Sequence, residues 1–314
     1  MLIWKRNNKY TMSKIRHHSC AYGRFWQSCV AWLFVIVAVM LATPAAALAT
    51  GDTPTTASLA RLCPLAAGNS WLASCLSDLG IPPACIERIV PPGTCPGHFD
   101  IRPSQAQQLR AVRLAVFFDF QSQLAQRLHD TALSSTPIII SPGSGLCIPQ
   151  TYFEAAETLA RRLAEAEPET SPALSQQLAA LSHTVDALAH ELRKKVVESR
   201  WNGAPVVSSR HQREFCQWLG LRVVATLPAA DTASPAAVEK VFAAVRAHHA
   251  AGVIANLQEG TQAARAIASA SGLPLVVFSN FPELSAKEPN FTALVRRNVE
   301  NLLATSPAGT GGRK

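Results

Sequence analysis

From Ser58 to Gly145 short apolar runs alternate with stretches of helical period. Ile86 to Val90, the run LAVFF at 114–118 and Ile138 to Ile140 read as strands. Between them lie a helix from Ser104 to Leu114, with the Ser104 hydroxyl as its N-cap, and a polar helix running through Leu128. This alternation predicts βα units and a mostly parallel sheet. Thr151 and Glu154 stand at capping-box spacing before a helix carrying Ala155, Leu159, Leu163 and Ala166, which Pro168 ends. Ser171 and Pro172 then restart a helix as N-cap and N1.

In that second helix Leu174, Leu178, Leu181, Val185, Leu188, Leu192 and Val196 recur every three or four residues. A helix of about 28 residues spans roughly 40 Å. The Leu repeat alone also fits a coiled coil, but its place between two α/β segments favours a rigid spine. From Pro205 the alternation resumes: Val206 and Val207, a helix start at Ser208 and Ser209 stopped by Gly220, a strand from Leu221 to Leu227, and a helix capped by Ser234 and Pro235. A strand at Gly252 to Leu257, a helix at Thr261 to Ser271, a strand at Leu273 to Phe278 and a helix at Phe291 to Leu303 follow. The predicted fold is α/β: two lobes with central, mostly parallel sheets joined by one long spine helix. Its boundaries are 1–49 for a leader, 50–170 for the N-terminal lobe, 171–200 for the spine, 201–305 for the C-terminal lobe and 306–314 for a disordered tail.

Charge changes the picture at the N-terminus. Lys5, Arg6, Lys9, Lys14, Arg16 and Arg24 precede an unbroken apolar run from Val30 to Ala42, and Ala47-Leu48-Ala49 supplies a small-x-small cleavage site. This is the pattern of a cleaved secretory signal; the apolar core is short of the roughly 20 residues of a membrane span. Met12 is an alternative start. The whole chain carries +8, but six of its 29 Lys and Arg and none of its 21 Asp and Glu lie in the leader, which leaves 23 basic against 21 acidic residues. A mature charge of about +2 removes the basic face that a nucleic-acid reading requires.

Cys20 and Cys29 leave with the leader, and Cys63, Cys75, Cys85, Cys95, Cys147 and Cys216 remain. No CxxC pair occurs, which argues against a zinc ribbon and a thioredoxin-like site, and export favours disulfides for most of the six. Pairing is not readable from spacing. The segment PPGTCPGHFDIRPS at 91–104 sets His98 in a loop punctuated by Gly and Pro, three residues after Cys95. Thiolate and imidazole together suit a soft or borderline ion; the alternative is a surface histidine beside a disulfide cysteine.

A secreted chain of this element order resembles the periplasmic zinc- or manganese-binding proteins of ABC transporters. IVPPGTCPGHFDIRPS is similar to the family's Pro/Gly turn, ligand His, aromatic and Pro-Ser helix start, and His98 falls on the ligand position. APVVSSRHQREFCQWLGLRVVATLP is similar to the strand, ligand loop, helix and Gly-Leu strand of the second lobe. The resemblance implies capture of a transition metal, zinc first, in the inter-lobe cleft of a monomer. Delivery would be to an ABC permease, with no catalytic residues and a periplasmic location. The other three ligand positions depart from the pattern: Ser144 in SPGSGLCIPQTY, Ser209, and Ser279 in VVFSNFPE. A single imidazole does not hold zinc tightly. The substitutes in reach are His211, Cys147, Cys95 and Glu214, with the alternatives that Cys95 and Cys147 are bridged and that His211 is a solvated helix-start residue.

Two further readings stay open. The same architecture suits a metal chelate or other small solute, for which Ser144, Ser209, Arg210, Ser279 and Asn280 offer polar contacts. A secreted Cys/His enzyme would need an activated thiol beside an oriented imidazole. Cys95 and His98 are near in sequence but lie in no nucleophile motif.

Overall fold

The computed structural model describes residues 58–91, 99, 101–228, 234–282 and 290–309. The leader, Cys95 and His98 lie outside the described residues. The N-terminal half contains β1 (Leu65–Ala67), α1 (Ser70–Asp78), β2 (Ile86–Arg88), α2 (Pro103–Leu109), β3 (Leu114–Phe118), α3 (Ser122–Thr131) and β4 (Ile138–Ile140). Then come α4 (Pro149–Ala166) and α5 (Ser171–Val197). The C-terminal half contains β5 (Pro205–Ser208), α6 (Arg213–Trp218), β6 (Arg222–Thr226), α7 (Pro235–His248), β7 (Gly252–Asn256), α8 (Gln262–Ser271), β8 (Leu275–Phe278) and α9 (Phe291–Leu303).

Both sheets have four strands, in the orders β2-β1-β3-β4 and β6-β5-β7-β8, and every strand pair is parallel. Parallel sheets are buried on both faces, and the central strands show it: Ala115 to Phe118 and Gly252 to Asn256 are buried throughout. The pattern missed β1 and α1, although β1 is a central strand. LAA is too short and too bland to stand out, and the one local sign is the N-cap after it: the Asn69 side chain accepts from Trp71 N and Leu72 N at 3.0 Å each.

Two expected caps are wrong in detail. Helix α2 starts at Pro103 with Arg102 as its cap, and the Gln105 side chain accepts from Arg102 N, so Ser104 sits inside the first turn. Helix α4 starts at Pro149 with Ile148 at the cap, and the Thr151 hydroxyl donates instead to the Ser144 carbonyl at 3.1 Å. In both cases proline at N1 fixes the start ahead of the polar pattern, by two residues in α2 and by three in α4.

The spine α5 buries Leu174, Leu181, Val185, Leu188, Leu192 and Val196 on one face and exposes His183 and His190 on the other. One core cluster runs through both halves. In it Trp71 meets Tyr152 at 4.6 Å, and Phe291 of α9 stacks on Tyr152 at 3.9 Å. Phe291 N also donates to Ser74 Oγ at 2.8 Å, so the start of the last helix is tied to α1 of the first lobe. The tail expected to be disordered from Ser306 is held as far as Ala308, whose N–H donates to Ala251 O at 2.7 Å.

Cysteine use differs from the expectation that most would pair. Cys63 and Cys85 form a disulfide; Cys75, Cys147 and Cys216 are reduced and buried. Those three are part of the apolar core, where a thiol packs as a small hydrophobic side chain.

Candidate functional site

In parallel α/β sheets, ligand loops gather outside the carboxyl ends of the strands. The four expected ligand positions all follow strand ends: His98 after β2, Ser144 after β4, Ser209 after β5 and Ser279 after β8. The segment carrying Cys95 and His98 leaves β2 through buried Ile89 and Val90, with Ile89 N donating to Ala67 O, and Phe99 and Ile101 pack against the first lobe's second core cluster.

Ser279 holds hydrogen bonds at the position where the resemblance implies a ligand. Its hydroxyl donates to Phe281 O at 2.8 Å and accepts from Gln258 Nε2 at 2.9 Å. Its N–H donates to Asn298 Oδ1 at 2.9 Å, and its carbonyl accepts from Asn298 Nδ2 at 2.8 Å. The same carbonyl accepts from the Cys147 thiol at 3.1 Å. Cys147 is fully buried, and burial pushes its thiol far above the ordinary range. It therefore stays protonated and serves as a donor across the two lobes, so the structure gives this expected metal ligand a different task. Asn280 Oδ1 completes the network by accepting from Gln212 Nε2 at 2.8 Å.

The alternative that Cys147 is bridged does not hold, because Cys147 is a free thiol, and Cys95 lies outside the described residues. Cys216 is held protonated too, its pKa pushed up to about 12 by burial.

Ser144 is exposed and contributes its carbonyl to Thr151. Gly145, with φ +80°, brings this loop against the second lobe: a Cβ there would stand 3.2 Å from Glu214 Cβ and 2.5 Å from Ile148 Cδ1. Ser209 is buried; its N–H donates to Ile254 O at 2.8 Å, and its hydroxyl has no partner.

His211 stands on the short turn Arg210–Gln212 between β5 and α6, with its side chain 60% exposed. Its Nε2 is 3.2 Å from Glu259 Oε1. Glu259 was missed in the sequence; it lies in the loop after β7, out of register with the family's ligand positions, and only its carboxylate chemistry marks it. That loop is fixed by Asn256, whose Oδ1 accepts from Gln258 N at 2.9 Å and Glu259 N at 3.1 Å. An imidazole and a carboxylate this close to each other can serve as two ligands of one divalent ion. Among the described residues no three His, Cys, Asp or Glu side chains converge on one point.

Two parallel α/β lobes and a long helix connecting them are the architecture of the solute-binding proteins with a helical spine. The chain belongs to the family described as zinc-uptake complex component A, periplasmic (ZnuA), whose model matches residues 148–305. Among solved structures, the solute-binding protein FpvC of P. aeruginosa in complex with Ni2+ matches with a TM-score of 0.64 at 15% identity, over 80% of this chain and 98% of that one. A ZnuA crystal structure matches with a TM-score of 0.60 at 16% identity, over 75% of this chain and 97% of that one. The laminin-binding protein Lmb of Streptococcus agalactiae, described as having adhesin and metal-transporting activity, matches with a TM-score of 0.62 at 13% identity, over 77% and 98%. Comparison with curated protein sequences finds no significant match.

Proposed function

We propose that this protein captures a divalent transition-metal ion, zinc first, between its lobes and hands it to an ABC permease in the periplasm, with no catalytic step. The observation that carries the reading is the family match across 148–305, which covers the spine and the second lobe. The nickel-bound FpvC structure supports a site that accepts a borderline divalent ion. Residues 1–49 act as the export leader, 50–170 and 201–305 as the two lobes, and 171–200 as the spine. His98 supplies the first-lobe imidazole, and His211 with Glu259 supplies the second-lobe ligands, replacing the serines at 209 and 279. Cys95 remains a candidate from the same loop as His98. Lobe orientation, biased by the bound ion, is what the permease reads.

Elemental analysis of the native protein purified from the exported fraction tests this. The expected result is close to one equivalent of a transition metal per chain, with zinc predominant and the mature N-terminus near Thr50. Protein that carries none, and takes up none when offered zinc, manganese or nickel, would contradict it. A chelated metal or another small solute would then become the better cargo, supported by the polar side chains of Ser209, Ser279 and Asn280.

A further inference from the structure

A small cavity of about 70 Å³ opens at the carboxyl edge of the second sheet, between the ends of β5, β6 and β7 and the start of α8. The strand order β6-β5-β7-β8 reverses direction between β5 and β7, and such switch points are where α/β sheets bind ligands. Ser209 follows β5 and Asn256 ends β7, so the cavity lies in that crevice.

Two of its lining residues are buried with polar groups unused. Ser209 is 5% exposed and Asn256 is 1% exposed; Ser209 Oγ and Asn256 Nδ2 have no hydrogen-bond partner. An unmet buried polar group costs roughly 1–3 kcal/mol, so native proteins rarely leave two together without a ligand or ordered water. The third wall is the first turn of α8, Gln262, Ala263 and Ala264. No side chain caps this helix, and the N–H groups of a first helical turn have no intrahelical partner.

The first lobe shows what a closed version of this crevice looks like. Between the ends of β1 and β3, Gln121 donates to Gly68 O at 3.0 Å and accepts from Asn69 Nδ2 at 2.9 Å. There the protein fills its own switch point. In the second lobe the equivalent donors are left for something else.

We propose that the cavity at Ser209, Asn256 and the α8 N-terminus binds an oxyanion group, a carboxylate or phosphate. The residues that carry an unpartnered hydroxyl, an unpartnered amide N–H2 and the helix-start N–H groups all line it, and a helix N-terminus favours negative charge. The volume, about that of two water molecules, matches such a group. Glu259 also lines the cavity, with its carboxylate paired to His211. That charge opposes a bare anion and favours one that arrives with a cation, as the carboxylate arm of a metal chelate does. The site adjoins the proposed metal ligands through Glu259, but Ser209, Asn256 and the α8 N-terminus are none of them ligands in that reading.

Calorimetric titration of the mature chain with citrate and with inorganic phosphate, each with and without equimolar zinc, tests the proposal. Wild type is expected to bind at least one oxyanion. Binding without zinc identifies the free anion as the source, and binding only with zinc identifies the metal complex. Ser209→Ala should weaken it about tenfold or more. So should Asn256→Asp, which keeps the acceptor for Gln258 N and Glu259 N and replaces the donor; circular dichroism checks that both variants are folded. Glu259→Gln should tighten free phosphate. No oxyanion binding in either condition, or unchanged binding in both folded variants, overturns the proposal. Zinc binding without oxyanion binding sinks this site and leaves the metal reading standing; oxyanion binding by a chain that ignores zinc does the reverse.

Discussion

Asn298 joins the loop after β8 in its own lobe to Cys147 of the first lobe. Its carboxamide satisfies both backbone groups of Ser279 and reaches the Cys147 sulfur at 3.4 Å. Asn298→Ala leaves buried Ser279 N without its acceptor and should lower stability by about 2–4 kcal/mol, read from urea unfolding. The buried thiols give a second check. Cys147 and Cys216 are fully buried and held protonated. Iodoacetamide should leave both unmodified in the native protein and alkylate both after unfolding, as peptide mass spectrometry would show. Thiol chemistry was the least legible part of the sequence. Spacing does not reveal that Cys147 faces a carbonyl more than a hundred residues away, and neither export nor count distinguishes a core cysteine from a bridged one. Glu259 escaped for a related reason: its closeness to His211 is made by neighbouring strands, not by neighbouring positions.

The spine is the element whose helical character the pattern defined best, because a stripe of Leu and Val sustained over about six turns leaves no strand reading. What the pattern did not show is how the spine is fastened to the last helix. Glu191 of α5 accepts from Arg296 of α9 at 2.8 Å and from Lys195 at 2.7 Å. Hydrogen bonding to Arg296, then to Lys195, holds the Glu191 carboxyl down at about 2, against an ordinary 4.5. The folded value is depressed, so the contribution is complete above about pH 4.5 and is lost as pH falls toward about 2. Glu191→Gln should cost about 0.5–1 kcal/mol at neutral pH, the modest value of a solvent-screened pair. The difference in Tm between variant and wild type should close as pH drops through that window. A gap that stays constant would mean that the pair does not fasten the helices. The short elements were the ones missed. Strand β1 is three residues of Leu and Ala, and its central place comes from pairing with β2 and β3 on either side.

The two-lobe architecture was legible because the same order of strands and helices occurs twice, with the spine between. Repetition also explains why the ligand set was not. Ser279 is committed to hydrogen bonds and Ser209 lines a small cavity, whereas His98, which the resemblance sets on the ligand position, lies outside the described residues. The second lobe offers His211 and Glu259 from different loops. A chain that keeps the scaffold and moves its ligands should still bind metal through both lobes. Removing either imidazole should therefore weaken binding, while Cys147→Ser should leave affinity within about threefold and lower stability instead.

Calorimetric titration of zinc into chelator-treated mature protein, wild type beside His98→Ala, measures the central claim most directly. One site per chain is expected in the wild type, weakened at least about a hundredfold when His98 is lost, as removal of one of three or four zinc ligands requires. Equal affinity in the two proteins, or no zinc binding in either, would contradict metal capture at this cleft.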